Sequence, residues 1–146
     1  MLTRPTIWAL GALVLAAVIL AACSGQSAAT DMRAQMPDHI RNAPERVVSA
    51  YEYAAHNMDE LANYPCYCGC GNMGHTSNLS CYVQAVSGDG TITWDNHALG
   101  CGICVDIAQD VMRLKGEGWA SRDVRQYIDS TYGSFGPGTN TPYPQS

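Results

Sequence analysis

The chain has 146 residues, 47% of them hydrophobic, and carries 8 Lys+Arg against 13 Asp+Glu for a formal charge of −5. That length holds one small domain, and an acidic balance with no basic cluster argues against nucleic acid as a partner, because nothing is available to neutralise phosphates. No Ser/His/Asp arrangement, phosphate loop or paired-carboxylate spacing stands in the sequence, so hydrolase and nucleotide-binding readings have no support.

In chain order, Arg4 is followed by an uncharged run from Ile7 to Leu20. The run is too short to span a bilayer comfortably, which takes ~20 apolar residues. A basic start, an apolar stretch and then small residues are the proportions of a secretory signal. The sequence Leu20-Ala21-Ala22-Cys23, followed by Ser24-Gly25, resembles the bacterial lipobox. That resemblance implies cleavage after residue 22, diacylation of Cys23, and a lipid-anchored, extracytoplasmic place in the cell envelope. Two acyl chains hold firmly where one binds reversibly. Removing residues 1–22, which contain Arg4 and no acid, leaves 124 residues with 7 Lys+Arg against 13 Asp+Glu, a charge of −6.

Residues 23–43 are mostly small and polar without a hydrophobic period, the pattern of a flexible tether; Met32, Met36 and His39 within it carry no assigned role. A domain is expected over 44–135. Pro44 fits the first position of a helix, and Val47, Val48, Tyr51, Ala54, Ala55, Met58, Leu61 and Ala62 then fall at helical spacing until Pro65. A Gly- and Cys-rich stretch from Cys66 to Cys81 has no period and reads as a loop. Tyr82–Val86 and Thr91–Trp94, around Ser87-Gly88-Asp89-Gly90, suggest a short β-hairpin. A second helix is expected from near Cys101 to Lys115, with Ile103, Ile107, Val111 and Leu114 on one side and Gly116 as its stop. A third starts with Ser121 as N-cap, turns Val124, Tyr127, Ile128 and Thr131 inward and stops at Gly133. Residues 136–146 hold three prolines and little to bury, and read as an extended arm. The expected fold is mainly α: three helices around an irregular Cys-rich loop, with a possible short hairpin, behind a signal peptide and tether.

Six cysteines besides Cys23 dominate the chemistry: Cys66, Cys68, Cys70, Cys81, Cys101 and Cys104. The strongest motif is Pro65-Cys66-Tyr67-Cys68-Gly69-Cys70, followed by Gly74-His75 and Cys81, then Trp94-Asp95-Asn96-His97 and Cys101-Gly102-Ile103-Cys104. These residues resemble the bacterial lipoprotein family named for its PCYCGC motif, from about Pro65 through the third helix and into Thr141-Pro142. The resemblance groups the residues; it implies no activity, because none is established for the family.

Alternate cysteines in an irregular loop can turn several sulfurs toward one point, with Gly69 and Gly71 relieving the backbone. Cys101 and Cys104 face one way on a first helical turn, where the helix terminus favours the thiolate that binds metal. His75 and His97 lie close to the cysteine clusters in sequence. Soft thiolates select Cu(I), zinc or iron–sulfur clusters. One zinc takes four ligands and would leave others spare, so six thiolates suit a polynuclear Cu(I) site better; two zinc ions using all eight groups remain an alternative.

Two further readings stand beside this one. An even cysteine set outside the cytoplasm can staple a small domain with disulfides, although cysteines two apart make poor partners. The Cys101-x-x-Cys104 pair resembles a redox dithiol, but lacks the preceding βαβ context, so an enzyme is not the expected class. His56 and the tyrosines read as surface or packing residues, and Trp94 and Trp119 as covers for the cluster or plain core.

Overall fold

The computed structural model describes residues 32–145. Cys23, the signal segment and most of the tether lie outside the described residues. A compact unit begins at Met36, ahead of the expected start at residue 44. Its first element is a single helical turn, α1 (Asp38–Arg41). Ile40 on this turn and Met36 just ahead of it are buried, and Arg41 donates from Nη1 to the Met36 carbonyl at 3.1 Å while pairing with Asp38. The end of the expected tether is therefore packed structure. Two apolar side chains in a polar segment are too few to give a period, yet enough to seat one turn.

Helix α2 (Glu45–His56) follows, with Pro44 as N-cap rather than first helical residue. It buries Val48, Ala50, Tyr51 and Ala54. The expected single helix to Pro65 breaks at Asn57 (φ −131°, ψ 44°), and a short α3 (Met58–Leu61) continues after it. At that point both the backbone N–H and the side-chain amide of Asn57 donate to the Tyr53 carbonyl, each at 2.9 Å, a local side-chain bond typical of Asn outside helix interiors. His56, at the end of α2, is exposed.

The hairpin forms as an antiparallel pair, β1 (Val83–Val86) and β2 (Ile92–Trp94), with Val86 opposite Ile92 and a register irregularity between Val83 and Ala85. Gly90 takes φ +86° in its turn, and Asp89 Oδ1 accepts from the Thr91 N–H at 3.0 Å. A helical turn, α4 (His97–Gly100), leads into α5 (Gly102–Gly116), whose N-cap is Cys101. Helix α5 buries Cys104, Val105, Ile107, Ala108, Val111 and Leu114. Its stop is Gly118, not Gly116: Gly118 (φ +86°) donates to the Lys115 carbonyl and Trp119 to that of Leu114, the paired bonds of a Schellman end.

Helix α6 (Ser121–Tyr132) has Ala120, not Ser121, as N-cap. The Ser121 hydroxyl is taken by Glu60, to which it donates at 2.8 Å, and accepts from Lys115 Nζ at 2.9 Å. Thr131, expected inside, is exposed, Tyr127 is half-buried, and Arg125 and Tyr132 are buried in their place. Helix α5 is the centre of the unit, packed against α2 and α6, with a 3-10 turn at Asn78–Cys81 also against it. No described helix is long and apolar enough to cross a membrane.

Residues 136–145 have no helix or strand, but they are not a free arm. Thr139 and Thr141 are buried, and Arg125 Nη1 donates to the carbonyls of Thr141 (3.3 Å) and Pro142 (3.1 Å) as well as Asn63 (3.0 Å). The attachment is by hydrogen bonds, which leave no mark on a hydrophobic pattern.

Burial of Ile40 gives a direct check on where the unit begins. Ile40→Ala lowers the free energy of unfolding by about 2–5 kcal/mol, the usual cost of truncating a buried aliphatic side chain, read as a lower denaturant midpoint at unchanged slope. A midpoint equal to wild type would return residues 36–43 to the tether.

Candidate metal centre

Three segments carry the six cysteines to one place. After α3 the chain enters Pro65–Gly69 in irregular conformation, with Cys66 buried and Cys68 half-buried. Gly69 (φ +83°) and Gly74 (φ +90°) bracket a 3-10 turn, Cys70–Met73; both need the left-handed region that glycine adopts without penalty. Gly71, expected to serve that purpose, has no positive φ. The second 3-10 turn, Asn78–Cys81, delivers Cys81 just ahead of β1, and the start of α5 delivers Cys101 and Cys104.

The sulfurs converge. Cys66 Sγ lies 3.2 Å from Cys68 Sγ and 3.1 Å from Cys104 Sγ, Cys104 Sγ lies 3.2 Å from Cys81 Sγ and 3.6 Å from Cys68 Sγ, and Cys70 Sγ lies 3.9 Å from Cys81 Sγ. All six cysteines are free. Their separations are far beyond the ~2.05 Å of a disulfide. They bracket the sulfur–sulfur edge of about 3.8 Å implied by a tetrahedron with zinc–sulfur bonds of ~2.3 Å. His97 Nε2 stands 3.3 Å from Cys68 Sγ, and His75 Nδ1 stands 3.5 Å from Cys81 Sγ. The two imidazoles meet edge to face at 5.2 Å between centroids. Four overlapping groups have their ligand atoms within 4.8 Å of one another: Cys68, His97, Cys101 and Cys104; Cys66, Cys68 and Cys70; Cys66, Cys81 and Cys104; and Cys70, Cys81 and His97. A metal ion could be held by this cluster.

The family model described as a protein of unknown function with PCYCGC motif matches residues 22–144, 123 of the 146 residues. The chain belongs to the PCYCGC family. No curated protein and no solved structure matches it.

Charge in the PCYCGC cluster is uneven. Thiol hydrogen bonds from Cys104 and Cys81 hold the Cys66 thiol far below the ordinary thiol range, against the effect of burial. Cys104 is driven up, first by its hydrogen bonds to Cys66 and Cys81 and then by burial. Cys81 also rises: the bond from Cys104 pulls it down, but the Cys66 bond, burial and the charges on Cys66 and Cys70 together outweigh it. Burial and then Cys66 raise Cys68, and the same causes push Cys70 up to about 11. The helix terminus was expected to favour the thiolate at Cys104; instead its sulfur neighbours push Cys104 up and Cys66 down. At contact distance a neighbouring sulfur outweighs the partial charge of a helix end.

Several residues that fix the PCYCGC loop were not singled out by sequence. Thr139 grips Cys66 twice: its Oγ1 accepts from the Cys66 N–H and its own N–H donates to the Cys66 carbonyl, each at 3.0 Å. A Cβ on Gly138 would stand 2.9 Å from the Tyr67 ring, so only glycine lets the tail lie this close. Tyr67 in turn donates to Asp129 on α6 at 2.6 Å. Buried Asn78 and Tyr82 both donate to the Cys104 carbonyl, at 3.2 and 2.8 Å. Asp95 Oδ1 accepts from the His97 N–H at 2.7 Å, and its other oxygen lies 3.8 Å from His75 Nε2. The one available signal was the Thr141-Pro142 pair at the far end of the family resemblance. Trp94 packs edge-on against Tyr51 at 6.0 Å, whereas Trp119 is 41% exposed and meets Tyr127 of α6 edge to face; its ring contact is with α6 and not with the cluster.

Thr139→Val keeps the volume and removes the acceptor for the buried Cys66 N–H. Unfolding free energy falls by about 1–3 kcal/mol, the cost of leaving such a donor unpaired, measured by denaturant titration of the reduced protein. No change would mean that the tail does not hold the loop in solution.

Proposed function

We propose that this is a membrane-anchored, extracytoplasmic lipoprotein that collects soft metal ions in a polynuclear thiolate site, Cu(I) in preference to zinc, for metal handling or detoxification. Cys66, Cys68, Cys70, Cys81, Cys101 and Cys104 are the proposed thiolate ligands, with His75 and His97 as ligands or as their immediate supports. The carrying observation is that Cys66, Cys68, Cys70, Cys81 and Cys104 each belong to two of the four groups able to hold an ion. A sulfur shared between groups is a sulfur placed to bridge two metals. A single tetrahedral zinc needs no bridging and would use only four of the donors, whereas Cu(I) favours sulfur donors. Burial of Cys66, Cys70, Cys81 and Cys104 to 1% exposure or less supports the same choice, because a dry thiolate shell keeps water from the ion.

The protein is read as a binder and not as an enzyme. Cys104, the buried member of the Cys101-x-x-Cys104 pair, is engaged with Cys66 and Cys81 and is poorly placed to exchange with a partner's disulfide. The anchor rests on Cys23 at the end of the apolar run, beside the start of the family match at residue 22.

Metal analysis of protein purified under reducing, anaerobic conditions is expected to find several copper equivalents per chain. Cys104→Ser removes more copper than Cys101→Ser, because Cys104 stands in two groups and Cys101 in one. Protein without metal and without free thiols would defeat this reading in favour of a disulfide scaffold. Stripping the metal from loaded protein lowers the melting temperature, since ligand present at a thousandfold over its dissociation constant stabilises by about 4 kcal/mol. For the anchor, Cys23→Ala moves the protein from the membrane to the soluble fraction of its host, through loss of the acyl chains; a variant that stays with the membrane would refute lipidation at this residue.

A further inference from the structure

An open cavity of 460 Å³ adjoins the cluster, with Met73, His75, Trp94, Asp95 and His97 in its walls. A smaller one of 350 Å³ shares Met73, His75 and Asp95 with it. The cavity wall and the cluster have His75 and His97 in common, and no cysteine lines either cavity. Each imidazole also touches a different sulfur, His75 that of Cys81 and His97 that of Cys68. Met73 is 59% exposed, although methionine is ordinarily a residue of interiors. It ends the 3-10 turn that starts at Cys70, and the left-handed Gly74 separates it from His75. A thioether is a soft donor that binds Cu(I) without having to lose a proton.

We propose that this cavity is the port through which Cu(I) reaches the cluster, with Met73 as its outer, transient ligand. Metal caught by the Met73 thioether passes to His75 and His97 and from them to Cys81 and Cys68. The transfer is ligand exchange without change of oxidation state: one copper–sulfur or copper–nitrogen bond breaks as the next forms, and each thiol that takes up copper releases its proton to water. Asp95 holds the relay in place, bonding the His97 backbone with one oxygen and facing His75 Nε2 with the other. Its carboxylate also gives the port a negative charge that attracts a cation. This rests on the cluster being a Cu(I) site.

The test presents Cu(I) as a coloured chelator complex to the reduced full-length protein under argon and follows loss of colour by stopped flow, together with final copper per chain. Met73→Leu keeps the size and removes the sulfur at an exposed position. Its final copper content is expected to match wild type while uptake slows roughly tenfold, equivalent to about 1.4 kcal/mol on the barrier. Met58→Leu, in a separate cavity lined by 55–60, is expected to load at the wild-type rate. Wild type that fills normally while Met73→Leu fills at the same speed overturns the port alone, as does equal slowing in Met58→Leu. Wild type that takes up no Cu(I) overturns the cluster reading, and the port with it.

Discussion

Sulfur atoms from three segments are held together, four of them buried and those of Cys68 and Cys101 on half-buried residues, and the backbone around them answers to that crowding. Cys104 is its centre. Its sulfur touches those of Cys66 and Cys81, and its carbonyl receives Asn78 and Tyr82. The first turn of α5 is therefore tied to the turn that supplies Cys81 and to the start of β1. Thiols give little directional force of their own, so the backbone around them has to be fixed by stronger bonds. Those bonds come from amides, hydroxyls and one guanidinium.

The tail supplies the opposite side of the clamp. Thr139 holds Cys66 by both backbone groups, and Thr141 donates to the Thr76 carbonyl at 2.6 Å. Arg125 anchors the tail to α6, with its guanidinium over the Tyr143 ring at 4.7 Å and its Nε on Asp129 at 2.8 Å. Asp129 also receives Tyr67 from the cysteine loop. A buried arginine is costly unless its donors are satisfied, and here they are spent on three carbonyls and a carboxylate. Loop, tail and α6 thus form one hydrogen-bonded assembly, and the sulfurs of the loop inherit its rigidity.

Preorganisation of this kind has a chemical consequence. Packed thiols perturb one another, and the one best supplied with thiol donors, Cys66, is the one held below the ordinary thiol range. The sulfurs stand in overlapping groups of three or four donors whose ligand atoms lie within 4.8 Å of one another, an arrangement that could hold a metal ion. The histidines stand at the boundary between the cluster sulfurs and the solvent-facing cavity, each touching one sulfur and lining the cavity wall. Small domains short of a large apolar core commonly gain stability from such a centre, and in this reading the ion completes the core.

The sequence by itself determined the main helical stretches, the hairpin with its glycine turn and the cysteines that meet in the cluster. Apolar period, turn residues and cysteine spacing are local signals, and each reports a local property of the chain. It determined too little about the ends. Asn57 ends the first helix with both its backbone and side-chain N–H groups on the Tyr53 carbonyl, and Ser121 fails as a cap because Glu60, far away in the chain, claims its hydroxyl. Only the tertiary structure decided that the tail and residues 36–43 belong to the unit, which thiol is held below the ordinary range, and which face of the cluster opens to solvent. Those matters rest on hydrogen bonds and contacts between residues tens of positions apart, as with Thr139 and Cys66, and no periodicity encodes such a pair.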